Sequence, residues 1–553
     1  MTKIASNSYG RLFWIGAAAI VVFVYFFGLS IPLLGPDEPR YAQVAREMYE
    51  RGDWVTPTLA GHNWFEKPAL LYWLQIAFYN LFGVSEFSAR LGSALFGLGT
   101  VVAMWVLGRT YASEFLKGAN GSRRSEVLQT ANWFALITAS SLGLIVFARG
   151  ASFDIILTFP IAAAMVSFYI FDSRVRTGDG KVGLIAPLFL FYFFVGVALL
   201  AKGLVGAVFP LGIAGIYYLI SRRLPGRTFL LSLFWGAGVT LLVASSWYLP
   251  VYLKNGWEFV DEFIIQHHFQ RYTSNKYLHP QPFYFFFWVL PLMTIPWLPF
   301  FLVAIWKFGK LAIISIIGEK EAATGVSNEE ENAEVRRNDS TQTSSRLSLR
   351  PASAALLLFA AAWLLVPLVF FSFSGSKLPG YIMPALPPAI AITVVYLLGF
   401  MGRNEKRERW MKALAMATFA VVVGIIIFIL PRFANMDSVK VLIAAADARG
   451  HGDEMVLTLH TVSHNAEFYA PGRLIRNADG KQKRLNGPAE VLAEVRKSPS
   501  KAALVLVPIE YQRQLEESPL LAVDTIRSNG EHAIAYVRER GRSAGGGAAQ
   551  PVH

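Results

Sequence analysis

Residues 12–40 read LFWIGAAAIVVFVYFFGLSIPLLGPDEPR, and the change of character along this stretch sets the fold. The apolar run from 12 to 34 is long enough to cross a bilayer, which takes roughly 20 residues at about 1.5 Å each. It ends in a proline and not in a small-residue cleavage site, so it is read as a signal anchor that stays in the mature chain. An acidic pair, Asp37-Glu38, follows between Pro36 and Pro39. Proline fixes its own φ and steers the preceding residue away from helix, so the pair is held on a stiff turn at the membrane surface. Residues 39–51 then read as a helix lying in the interface.

The same pattern recurs. Apolar runs able to span occur near 88–108, 129–147, 153–171, 183–201, 203–220, 229–252, 283–305, 352–373, 381–400 and 411–430. Two shorter runs, 69–82 and 307–318, read either as interfacial helices or as spans. Over 553 residues the chain is 54% hydrophobic, 14% aromatic and 16% charged, against about 25% charged for a soluble protein. That excludes a disordered chain, a nucleic-acid-coating protein and an ordinary cytosolic enzyme. It implies a polytopic α-helical membrane protein with an odd number of spans, 11–13. The net charge of +13 is then a topology signal. There is no cysteine, which excludes disulfides and thiolate metal sites.

Basic residues concentrate in 172–181 (Arg174, Arg176, Lys181), 221–227 (Arg222, Arg223, Arg227) and 401–412 (Arg403, Lys406, Arg407, Arg409, Lys412). The polar 306–351 region adds Arg336, Arg337, Arg346 and Arg350. The positive-inside rule makes these cytoplasmic. The N-terminus is then cytoplasmic too. Segments 35–87, 148–152, 253–282 and 374–380 face the other side, and the last span delivers the C-terminal part there. The expected organisation is a transmembrane catalytic domain over 1–432, with a first periplasmic loop at 35–87, a second at 253–282 and a cytoplasmic loop at 319–351. A small periplasmic α/β domain covers 433–540, and a tail covers 541–553. In that domain Ser438–Arg449 reads as a helix, and Met455–His460, Ala503–Pro508 and Ala533–Arg538 as strands. No internal repeat is visible, which weighs against an inverted-repeat transporter.

With sides assigned, the chemistry-bearing residues share one face: Asp37, Glu38 and Arg40, Glu66 and Lys67, Arg149 and Asp154, Lys202, and Lys377 beside Tyr381. Ionisable groups at span ends are costly against lipid and usually line a wet cavity. Cations there suit a phosphate headgroup, and carboxylates suit a sugar. Plainer readings stand beside these: Asp37 as a helix cap, Glu38 as partner of a helix start, Lys202 snorkelling, and Arg149–Asp154 as a structural ion pair. The second outer loop carries Gln266-His267-His268-Phe269-Gln270-Arg271. Adjacent histidines point about 100° apart on a helix, so the ordinary reading is a hydrogen-bonding pair at the interface. The other reading is a divalent metal such as zinc on Glu66, His267 and His268. No cofactor is required by the sequence otherwise. The aromatics of 64–79 and 283–288 read as an interfacial belt or as the wall of a lipid groove.

GPDEPRYAQVAREM (35–48), WVTPTLAGHNWFEKPALLYWL (54–74) and SFSGSKLPGYIMPALPP (372–388) together resemble the bacterial lipid A 4-amino-4-deoxy-L-arabinose transferases, members of the type C membrane glycosyltransferases. The similarity covers 12–430. It implies undecaprenyl phosphate-aminoarabinose as donor and a lipid A phosphate as acceptor, both in the periplasmic leaflet of the inner membrane, and no nucleic acid. It implies that Asp37 is the key carboxylate, that Lys67 meets the polyprenyl phosphate, and that Arg40, Glu66 and Lys377 have roles. We assign Asp154 and Glu66 as further catalytic acids. Arg40, Arg149 and Lys202 join Lys67 at the donor phosphate, and Lys377, Tyr381, Arg271 and Glu38 bind acceptor or donor. The enzyme is expected to act as a monomer. The alternatives are another type C transferase, acting on protein or glycan, and a lipid or ion transporter.

Overall fold

A computed structural model describes residues 2–117, 124–178, 183–270, 281–324, 350–478 and 480–541. Lys181, Arg271, most of the 319–351 loop and nearly all of the 541–553 tail lie outside the described residues. The chain forms two compact units. One comprises 1–27, 65–71 and 90–423, the other 28–64, 72–89 and 424–553. The sequence groups the first outer loop with the transmembrane domain; most of that loop clusters instead with the C-terminal residues.

The helices in chain order are α1 Thr2–Phe26, α2 Asp37–Arg51, α3 Leu70–Phe82, α4 Glu86–Phe115, α5 Arg124–Ala139, α6 Leu142–Ala148, α7 Phe153–Thr177, α8 Ile185–Lys202, α9 Val205–Ile220 and α10 Arg227–Phe259. They continue as α11 Phe285–Met293, α12 Leu298–Thr324, α13 Pro351–Ser372, α14 Leu386–Met401, α15 Glu405–Gly424 and α16 Leu430–Asp437. Among the described residues, seven helical segments are long and apolar enough to span, or eight if the bent pair α5–α6 is one crossing. The other three of the eleven apolar runs correspond to two shorter apolar helices, Gly10–Phe26 and Val205–Ile220, and to α11 with the start of α12.

Two breaks differ from the sequence expectation, each for a local reason. The 129–147 run bends by 64° between α5 and α6. There the Ser140 and Ser141 hydroxyls donate back to the Leu136 and Ile137 carbonyls at 2.6 and 2.7 Å. Leu142 N donates to Ile295 O at 2.8 Å in place of continuing the helical ladder. The second concerns 253–282, read as an outer loop. Its part up to Gln270 is helical: α10 runs to Phe259, and a π-helical segment covers Val260–Gln270. Gly256, with φ 59° and ψ −137°, redirects the chain within α10, close to its end. An L side chain disfavours that conformation, so glycine supplies the corner.

One end of the membrane unit is closed by a charged network. Asp172, 2% exposed at its side chain, accepts from Arg176 Nε at 2.7 Å. It also accepts from Tyr217 Oη at 2.7 Å and Arg223 Nη2 at 3.0 Å. Arg176 Nη2 in turn reaches Glu114 Oε2 at 2.9 Å. Two of the basic segments, 172–181 and 221–227, thus meet at one end of the unit.

In the second unit a five-stranded mixed sheet has the order β4-β3-β5-β7-β6, formed by β3 Val456–Leu459, β4 Arg484–Leu485, β5 Ala502–Pro508, β6 Leu521–Ser528 and β7 His532–Glu539. Alternate residues of β5 face two separate apolar layers: Ala503, Val505 and Val507 one way, Leu504 and Leu506 the other. The three strands and the helix read from the sequence are present; β6 escaped, because its exposed face carries Asp524 and Arg527 and blurs the apolar pattern. In the same unit, Glu47 of α2 accepts from Thr58 Oγ1 and Ala60 N, both at 2.7 Å, and so holds a hairpin of β1 Thr58–Leu59 and β2 His62–Asn63. Gly35 N donates to Asp437 at 2.7 Å, and Leu33 N to the Tyr469 hydroxyl at 2.9 Å.

Candidate active site

Asp154 opens α7, after Ser152 caps it by accepting from Asp154 N at 3.1 Å. Its carboxylate pairs with Lys202, the last residue of α8. Lys202 is therefore not snorkelling, and Asp154 is not the partner of Arg149. The Lys202 ammonium also sits 4.4 Å from the centroid of the Tyr381 ring. Tyr381 belongs to the short 3₁₀ turn Pro379–Ala385. A Cβ at Gly380 would stand 1.8 Å from an Asp154 carboxylate oxygen and 2.7 Å from the Phe147 ring. Glycine at 380 is what lets this turn close on the Asp154–Lys202 pair, and it makes the Leu-Pro-Gly-Tyr motif intelligible.

Lys377 is 6% exposed. Its ammonium donates to the Ser374 and Gln281 carbonyls at 2.7 and 2.9 Å. Among the described residues no carboxylate lies within ion-pair distance of it. Burial pushes its pKa below the usual lysine value. A buried ammonium held only by carbonyls retains its positive charge for an anion.

Arg149 caps the end of α6 and donates to the Val24 carbonyl. Its pKa is lowered to about 10, first by burial and then by the neighbouring charge of Arg90. Arg90 is 1% exposed. Sequence reasoning missed it, because an arginine in the first turns of an apolar helix reads as a headgroup anchor. The buried Arg90 and the half-buried Arg149 thus lie close enough to repel.

Glu66 and Lys67 pair directly, Nζ to Oε1 at 2.9 Å, both about nine-tenths buried at their side chains. They are fixed by Phe65, which is fully buried, stacks edge-on with Phe259 and donates its N–H to Glu262 Oε1 at 3.3 Å. His267 Nε2 lies 3.9 Å from the same Glu262 oxygen. The side chain of His268 and all of Arg271 lie outside the described residues. Among the described residues no three His, Asp or Glu side chains are arranged to hold a metal ion. Phe285 and Phe286 are buried, whereas Phe283, Tyr284, Phe287 and Trp288 are exposed on the outside of the unit, as an interfacial belt requires.

In the second unit the acidic turn separates its two acids. Glu38 Oε2 accepts from Leu34 N at 2.8 Å, so it ties down the turn before α2, as the plainer reading holds. Asp37 is the first residue of α2 but makes no side-chain cap. It pairs with Arg40 one turn on and stays 47% exposed at its side chain. The Arg40 guanidinium lies 5.7 Å from the Trp64 ring centroid. Asp37 is thus the acid that the helix start does not consume.

A family model described as dolichyl-phosphate-mannose-protein mannosyltransferase matches residues 17–261. An undecaprenyl phosphate-alpha-4-amino-4-deoxy-L-arabinose arabinosyl transferase of Serratia proteamaculans is 29% identical over 389 residues, 69% of this chain and 59% of that protein. Its namesake in Aeromonas hydrophila is 26% identical over 419 residues, 73% of this chain and 65% of that protein. The chain therefore spans about three fifths of the length of these curated relatives. Among solved structures, ArnT from Cupriavidus metallidurans bound to undecaprenyl phosphate superposes with a TM-score of 0.68 at 22% identity, over 96% of this chain and 98% of that one. By sequence the chain is similar to bacterial aminoarabinosyl transferases, and its fold is that of ArnT from Cupriavidus metallidurans.

Proposed function

We propose that the protein is a glycosyltransferase that moves 4-amino-4-deoxy-L-arabinose from undecaprenyl phosphate to a phosphate of lipid A, at the periplasmic face of the inner membrane. The observation that carries this reading is two cations at span ends, the buried Lys377 and the half-buried Arg149, with no carboxylate within ion-pair distance among the described residues, as a phosphate-linked lipid substrate needs. The names of the curated relatives and of the structural neighbour supply the sugar and the carrier. We place the active site and the C-terminal domain in the periplasm, on the strength of the basic segments at the other end, and take the working form as a monomer.

The anomeric carbon–oxygen bond to undecaprenyl phosphate breaks, and a lipid A phosphate oxygen forms the new one. That phosphate is anionic at pH 7 and needs little help from a base. The barrier lies in alignment and in the negative charge gathering on the departing phosphate. Lys67, Arg149 and Lys202 are assigned to that charge, with Arg40 and Lys377 in support. Asp37 orients the aminosugar or stabilises its oxocarbenium character, with Asp154 and Glu66 as the other acids of the site. No step is routed through a metal; an ion on Glu66 and His267 would share the Glu66 carboxylate with Lys67. The product carries less negative charge, which for the family implies resistance to polymyxin and other cationic peptides.

The test is mass spectrometry of lipid A from cells with and without the gene. An added aminopentose is the expected result, and unchanged lipid A in a strain that makes the donor refutes the reading. The mannosyltransferase model favours one second reading, a protein hydroxyl as acceptor. Asp37 would then be a true base, transfer would fall at acid pH, and secreted proteins would gain the mass instead.

A further inference from the structure

A cavity of about 720 Å³ opens in the membrane unit between the end of α4, the start of α5, α12, the start of α13, the end of α14 and the start of α15. Nothing in the proposed transfer uses it. It lies at the Arg350 end of α13, whereas Lys377 follows the other end. The 22 residues of α13 separate the two by about 33 Å, the thickness of a hydrocarbon core. Its walls are apolar and aromatic. Its charged groups are Lys307, Arg350 and Arg407, with Glu126 the single acid among the lining residues.

Each of the three cations rests on an aromatic ring of the wall. The Arg350 guanidinium lies 4.5 Å from the Phe115 centroid, Arg407 4.7 Å from Phe400, and the Lys307 ammonium 5.7 Å from Tyr396. Arg407 also donates to the Phe400 carbonyl at 2.8 Å. Among the described residues no carboxylate lies within ion-pair distance of any of the three. Glu114, near Arg350, is already engaged by Arg176. The rings hold the three cations without neutralising them, and the apolar wall beside them accepts a hydrocarbon chain.

We propose that this cavity binds the phosphate headgroup of an anionic phospholipid from the leaflet opposite the Asp154–Lys202 end. Three cations against one acid give the charge, the apolar wall takes the first part of an acyl chain, and the basic segments place the site at the cytoplasmic surface. The inference stands apart from the transferase reading, because its readout is lipid binding and not transfer.

The test is native mass spectrometry of the full-length protein in detergent, titrated with phosphatidylglycerol, with phosphatidylcholine and with inorganic phosphate. The wild type is expected to retain at least one phosphatidylglycerol that the K307Q/R350Q/R407Q variant releases. Affinity for that lipid should fall on the order of 100-fold in the triple variant and roughly fivefold in R407Q, at about one surface cation's worth each. Phosphatidylcholine should bind both proteins equally weakly. Arg407 is exposed, so R407Q decides the matter if the triple variant aggregates. Unchanged phosphatidylglycerol affinity in R407Q and the triple variant overturns the proposal. So does equal binding of phosphatidylcholine by the wild type, or displacement of the lipid by millimolar inorganic phosphate.

Discussion

Asp154 and Asp172, near the two ends of helix α7, stand about 27 Å apart at roughly 1.5 Å per residue, and each has basic neighbours. At one end Asp172 has two arginines and a tyrosine, and Glu114 takes the remaining donors of Arg176. At the other, Asp154 has Lys202, while Lys377 is left to backbone carbonyls and Arg149 faces Arg90. In the first network the carboxylates and arginines satisfy one another. At the second, Lys377 and Arg149 have no carboxylate within ion-pair distance among the described residues. Buried charge therefore does not by itself mark a site; an unbalanced buried charge does.

The strongest way to break this contrast is at the closed end. Asp172→Asn leaves two arginines without their shared counter-charge and should cost about 3–5 kcal/mol of stability. A thermal melt in detergent measures it, and the KM of any protein that still folds should be unchanged. A melting temperature equal to the wild type would mean that the network is not structural.

The mirror experiment is Asp37→Ala, at an acid that ties down no backbone. Transfer should drop on the order of 100-fold or more, worth roughly 3 kcal/mol of barrier, with the melting temperature unmoved. Full transfer by a normally expressed variant removes Asp37 from the chemistry.

Gly380→Ala sharpens the comparison from the backbone side. The added methyl must push Asp154 or the 379–385 turn aside, which should cost about 1–3 kcal/mol. It should lower transfer more than Ala at Gly399 does, where a Cβ meets nothing within 4 Å. Equal behaviour of the two variants would show that the close approach is unimportant.

The smallest effect is a pH shift. The pKa of Lys377 is depressed in the folded chain, so over the window between its folded and unfolded values the unfolded state binds more protons, and stability rises with pH there. Phosphate binding runs the other way: it needs the protonated amine and weakens as pH rises through the lowered value. Lys377→Arg should flatten the alkaline limb of donor affinity while leaving the neutral value within a few-fold. An unchanged alkaline limb would take Lys377 out of the donor site.

Much of this was readable in advance. The apolar runs recur as helices because a span must be continuous and apolar whatever surrounds it. The motif around Lys377 and Tyr381 reads as a site because a lysine between two spans is costly against lipid and usually faces a wet cavity. What was not readable involves pairs distant in the chain. Asp154 chooses Lys202 over the nearer Arg149, Arg90 turns inward from the first turns of α4, and Glu38, not Asp37, is spent on the turn. Each depends on which side chains other helices bring alongside.

The sequence by itself determined that the chain lives in a membrane, where its apolar runs lie, and which residues have chemistry to offer, because hydrophobic length, proline and charge act locally. Only the tertiary structure decided which charges cancel and which remain, because compensation inside a membrane protein is a matter of a few ångströms between residues tens to hundreds of positions apart.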